Sequence, residues 1–126
     1  MYLRFEPETV DPNSNYIWSV FGALGHLLET GTLTDYEFSR LQELDDWFTT
    51  NLQEPTRLAR SRKNDAEKKA VCWFKADASE CIANLREIVS VLNNHDLTIR
   101  MLKSTNPGYV VYEDKYQIAA IPFHKT

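Results

Sequence analysis

At 126 residues, with 43% apolar and 25% charged side chains, the chain has the composition of a folded single domain able to bury a core without staples. A net charge of −4 with pI near 5.3 runs against a dedicated nucleic-acid module, which is usually basic overall. No apolar run approaches the roughly 20 residues of a membrane-spanning helix, and Met1–Pro7 lacks the regions of a signal peptide.

In chain order, Met1–Phe5 alternates apolar and polar residues, which predicts a short first strand. Pro7, Pro12, Asn13 and Ser14 then supply turn chemistry. Ile17, Val20, Phe21, Leu24, Leu27 and Leu28 recur at helical spacing, and Gly31 marks the stop. Thr34 and Glu37 form a capping box at the start of a second helix, with Leu33 placed to staple Phe38. Phe38, Leu41, Leu44, Phe48 and Leu52 make its expected buried stripe, which ends before Pro55. So short a connection predicts an antiparallel helical hairpin.

Residues 54–69 have no sustained periodicity and read as an exposed loop, longer than most connections in compact domains. Beyond it, Ala70–Phe74 is a short apolar run of strand type. Asp77 and Glu80 occupy expected N-cap and N3 positions of a third helix, whose buried face is Ile82, Leu85, Ile88, Val89 and Leu92. Leu97–Lys103 alternates as a strand, and Asn106-Pro107-Gly108 turns the chain. Tyr109–Tyr112 and Tyr116–Ile121 follow as two further strands, joined tightly by Glu113-Asp114-Lys115. The expected fold is α+β, order β-αα-β-α-β-β-β, with three helices on a mixed sheet of four or five strands. The strand–helix–strand segment implies a parallel pair within it. One domain, 1–126, then comprises a strand with an acidic hairpin (1–55), a basic loop (56–69) and a β-α-β-β-β half (70–126).

Charge is sorted along this order. Residues 1–55 carry ten acidic and two basic side chains, and residues 56–75 carry seven basic and two acidic ones. The basic group offers Arg57, Arg60, Arg62, Lys63, Lys68 and Lys69 as candidate partner-binding residues, and the hairpin offers Asp45 and Asp46. Three readings of the basic loop stand: a solvated segment or internal clamp onto the hairpin, an anchor for an acidic protein, and a phosphate-binding segment for nucleic acid. The acidic face is a soluble surface or a landing site for a basic partner.

Catalytic patterns are thin. Glu67-Lys68-Lys69 after Asp65 contains the Glu-x-Lys element of metal-dependent nucleases, but it precedes a core strand and lacks an upstream Pro-Asp. His26, His95 and His124 do not converge, and Asp45-Asp46 has no accompanying ligand spacing. Cys72 and Cys81, nine apart and in apolar settings, read as reduced thiols of a cytoplasmic protein. No catalytic residue, metal ligand or cofactor is assigned.

VCWFK at 71–75 and PGYVVYEDKYQIAAIPF at 107–123 resemble segments of small uncharacterised bacterial proteins. The resemblance covers the C-terminal half, implies a bacterial or bacteriophage cytosolic origin, and transfers no activity. The leading expectation is a small non-enzymatic protein that binds another protein, of inhibitor, immunity or regulatory type. The alternatives are a nucleic-acid-binding regulator using residues 57–69 and a small metal-dependent hydrolase or nuclease. The oligomeric state is left open.

Overall fold

The computed structural model describes residues 1–8, 19–52 and 70–123. Along them run β1 (Tyr2–Pro7), α1 (Val20–Thr30), α2 (Asp35–Asn51), β2 (Val71–Lys75), α3 (Ser79–Asn94), β3 (Ile99–Ser104), β4 (Tyr109–Glu113) and β5 (Gln117–Ile121). The α+β class and the order β-αα-β-α-β-β-β are those expected from the sequence. Among the described residues the strands form one five-stranded sheet, ordered β3-β1-β2-β5-β4.

The sheet is antiparallel throughout, which corrects the expected mixed sheet. β2 and β3 do flank a helix and point the same way, but β1 lies between them. It pairs with β2 through Tyr2↔Lys75 and Leu3↔Phe74. On its other side Glu8 N donates to Thr98 O, and Arg100 bridges to Glu6 at 2.5 Å. Each strand of the anticipated parallel pair therefore meets an antiparallel neighbour.

By contacts the chain divides into two compact units. One draws its described residues from Met1–Arg4, Leu52–Ile82 and Lys103–Thr126; the other draws its own from Phe5–Asn51 and Ala83–Leu102.

In the first unit, β5 is the central strand. It pairs with β2 from Val71↔Ala120 to Phe74↔Gln117, and with β4 from Tyr109↔Ile121 to Glu113↔Ile118. Ile118, Ala119 and Ala120 are fully buried, so both faces of β5 are covered. The β4 register shifts between Val110 and Tyr112, a β-bulge. Simple alternation places Tyr109 and Tyr112 on opposite faces. The bulge reverses this: they oppose Ile121 and Ala119, two residues apart on β5, and so share a face.

In the second unit, α1 starts at Ser19, whose side chain caps Gly22 N at 3.1 Å, and stops at Gly31 in the left-handed conformation (φ 72°). The capping box predicted for α2 is present. Thr34 N donates to Glu37 Oε1 at 3.0 Å, and Glu37 N donates to Thr34 Oγ1 at 3.2 Å. The hairpin is antiparallel, with the Phe21 ring near the start of α1 lying 5.1 Å from that of Phe48 near the end of α2. Leu24, Leu41, Leu85, Ile88 and Leu92 are completely buried here. Each such side chain contributes about 1.5–3 kcal/mol of hydrophobic stabilisation. Phe38, expected in the buried stripe, is 41% exposed, so the stripe is Leu41, Leu44 and Phe48. α3 begins at Ser79, so its cap position is Ala78, whose O accepts from Ile82 N, one residue beyond the expected Asp77. No helix among the described residues is long and apolar enough to cross a membrane.

Candidate functional site

The exposed side of α2 holds the sequence-predicted acidic face, and the structure sorts its members. Asp35, Glu43 and Asp46 are exposed, while Asp45 is half-buried. Among them stand Tyr36, 77% exposed, and Phe38. Two other charged residues of α2 are turned to internal use. Glu37 receives His95, whose Nε2 lies 3.1 and 3.2 Å from its two carboxylate oxygens. Arg40 donates from Nε and Nη2 to Glu87 at 2.5 and 2.8 Å, and from Nη1 to Glu43 at 3.1 Å. These bonds tie α2 to α3 and its C-terminal turn, leaving Asp35 and Asp46 as the outward carboxylates with Tyr36 and Phe38.

The electrostatics follow from those bonds. Glu37 is held below the ordinary carboxylate value, first by the Thr34 backbone N–H and then by His95. Glu87 is lowered chiefly by the Arg40 hydrogen bonds, which in turn raise the guanidinium. A carboxylate lowered in the folded state contributes stability that is fully present above the unfolded value of 4.5 and is lost as pH falls below it. The difference in urea midpoint between wild type and Glu37→Gln/Glu87→Gln is therefore expected to be largest near neutrality and to close below pH 4.5. A difference insensitive to acid would show that the two carboxylates do not act as charges.

Elsewhere, side chains suited to chemistry are committed to structure. Cys81 is fully buried, and desolvation pushes its thiol up to about 12. Cys72 is raised for the same reason, despite Arg4 nearby. A nucleophilic cysteine needs the opposite shift. Lys75 is bonded to Glu113 at 2.6 Å, which raises its ammonium. His26 is half-buried in α1 and His95 serves Glu37. Among the described residues no group of three or more His, Cys, Asp or Glu side chains is placed to hold a metal ion.

Two clusters escaped sequence reasoning, one with a local sign and one without. Asp114 organises the β4–β5 hairpin: its Oδ1 accepts from Tyr116 N at 2.8 Å and Gln117 N at 3.0 Å, and its Oδ2 accepts from Tyr112 OH at 2.7 Å. An aspartate opening a tight connection is the local sign of such a turn. The Arg40–Glu87 pair joins residues 47 apart and has no local sign. Of the predicted partner-binding residues, Asp45 and Asp46 lie on α2. Arg57, Arg60, Arg62, Lys63, Lys68 and Lys69 lie outside the described residues, as do Asp65, Glu67 and His124. No family model matches the chain, and no curated protein or solved structure matches it either.

Proposed function

We propose that the chain is a non-enzymatic protein-binding module, of inhibitor, immunity or regulatory type in a bacterial or phage cytosol, which receives a basic protein surface on the exposed side of α2. One observation carries this reading. Tyr36, a large amphipathic ring 77% exposed, stands next to Asp35 and on the same helix as the exposed Phe38 and Asp46. Tyrosines exposed in this way are favoured anchors at protein interfaces, and carboxylates around them select and steer a basic partner. The net −8 of residues 1–55, ten acidic less two basic side chains, extends the same field.

The test is capture from the native cell with wild-type chain and with Tyr36→Ser/Asp46→Lys, each with and without nuclease. A captured protein with a basic surface, lost or weakened at least tenfold by the double variant and indifferent to nuclease, is expected. Losing an anchor of this kind costs about 2 kcal/mol or more, which corresponds to such a change. Equal capture by the variant would remove α2 from the interface. Nuclease-sensitive binding that weakens steeply with salt would favour nucleic acid instead.

A further inference from the structure

We propose that the outer edge of β3 receives an acidic extended segment of another protein as an added strand, whose successive carboxylates meet Arg86 and Arg100. Among the described residues the sheet ends on β3 at this side. Side chains alternate along a strand, and two contacts fix which way they do so here. Met101 lies on the α3 side, where Arg86 Nη2 donates to its Sδ at 3.8 Å. Arg100 lies on the opposite face, bonded to Glu6 of β1. The two guanidiniums therefore flank the edge, one on each face. The main-chain directions are fixed as well. Thr98 O accepts from Glu8 N, so at every second residue, Arg100 included, the backbone polar groups turn toward β1. Those of Ile99 and Met101 turn outward, in keeping with the bond from Ile99 N to Asn93 Oδ1 at 3.0 Å. Asn93 closes the start of the edge, and the N–H and C=O of Met101 are presented beyond it.

Two observations select an acidic occupant. Arg86 is exposed, yet its bonded partner among the described residues is a thioether, a weak acceptor, rather than a carboxylate. Arg40 and Lys75, by comparison, are each paired with a glutamate. The second observation is the sign of the charge on the strand, where Arg100 and Lys103 are both exposed. Charged side chains on an edge guard it against pairing, but such a guard discriminates by sign. A basic strand, a second β3 included, brings like charges together and is repelled. An acidic strand gains opposite-charge pairs across the ladder. Its residue opposite Met101 falls on the α3 face, beside Arg86, and its residue opposite Arg100 falls on the other face. Two consecutive acidic residues thus meet both guanidiniums. Arg100 keeps Glu6, because a guanidinium has five N–H donors. Main-chain hydrogen bonds supply the affinity of such an addition, and the alternating side chains supply its selectivity.

This inference does not depend on the α2 reading. Its test is titration of the full chain into a fluorescein-labelled peptide, Thr-Val-Asp-Glu-Val-Thr, followed by anisotropy at low salt. Saturable binding is expected, weakened about threefold or more when Asn-Gln replaces Asp-Glu, and to a similar degree by Arg86→Gln. Arg86 is exposed, so circular dichroism of that variant should show an unchanged fold. Tyr36→Ser, on α2, should leave the affinity as it is. Two further readouts separate strand addition from attraction of charge alone. The peptide N-methylated at its Asp and Glu should lose binding, and the unmodified peptide should slow amide exchange at Met101. No saturation up to about 1 mM peptide overturns the proposal. Equal binding of the neutral peptide, an Arg86→Gln chain that binds as well as wild type, loss of binding in Tyr36→Ser, undiminished binding of the methylated peptide, or unchanged exchange at Met101 overturns it equally.

Discussion

Gly108→Ala is expected to destabilise the protein by about 3 kcal/mol or more, seen as a fall in Tm of roughly 10 °C and a lower urea midpoint. Two effects combine. Gly108 has φ 152°, a conformation L residues rarely adopt. A Cβ added there also runs into the backbone of β5, 2.7 Å from the Ile121 carbonyl carbon and overlapping its oxygen, with the Pro122 Cα at 3.0 Å. The obstacle is main chain, so no side-chain rotation relieves it. Either β4 pulls away from β5 at the Tyr109↔Ile121 pair or the turn before it reshapes. Gly108→Ser should behave alike, and Pro107→Ala, with no such approach, should fall within about 1 kcal/mol of wild type. A Gly108→Ala protein as stable as wild type would mean that the close approach is not kept in solution.

Asp114→Ala is expected to cost about 2–4 kcal/mol, because one carboxylate serves two backbone donors and a phenol, and bonds to a charged acceptor are among the stronger ones. The Ala variant leaves Tyr116 N and Gln117 N without that acceptor at the connection between β4 and β5. Asp114→Asn keeps an amide oxygen for the same two N–H groups and should cost distinctly less. The two variants together separate the role of geometry from that of charge. Tyr112 provides a spectroscopic readout. Its phenol is pushed up to about 12, first by burial and then by its bond to Asp114. Removing the carboxylate should bring its absorbance titration part of the way back toward 10, burial accounting for what remains. An unchanged titration, or equal losses of stability in Ala and Asn variants, would count against this network.

The elements of the chain were legible where local chemistry decides them. Gly31 at a left-handed helix end, the Thr34–Glu37 box and the Leu85–Ile88–Leu92 face needed no knowledge of the rest of the fold. The misreadings with the widest consequences depended on what lies across from a segment rather than on the segment itself. Phe38 lies on the same helical row as Leu41, but burial depends on what covers that row, and coverage is a tertiary fact. The parallel pair inferred from β2, α3 and β3 was a sound local deduction, undone by β1 entering between the strands. Alternation misplaced Tyr112 because a single bulge residue reverses every later side chain. The acidic side of α2 was visible as charge, yet its division was not. Glu37 and Arg40 find His95 and Glu87 across the fold, whereas Tyr36 stays outside.

The insertion of β1 also sets the order in which this sheet can be assembled. Its first strand has no neighbour close in sequence: Tyr2 waits for Lys75, and Glu8 waits for Thr98. During synthesis Leu3 and Phe5, buried at the end, emerge before either flanking strand exists. The α1–α2 hairpin and the β4–β5 hairpin can close locally and early, but β1 needs two long-range closures, one with β2 and one with β3. Such topology raises contact order and slows folding relative to helical proteins of this size. The apolar face of β1 therefore spends the longest time exposed of any strand in the sheet, which makes Leu3–Phe5 the segment most open to mispairing before the native sheet forms.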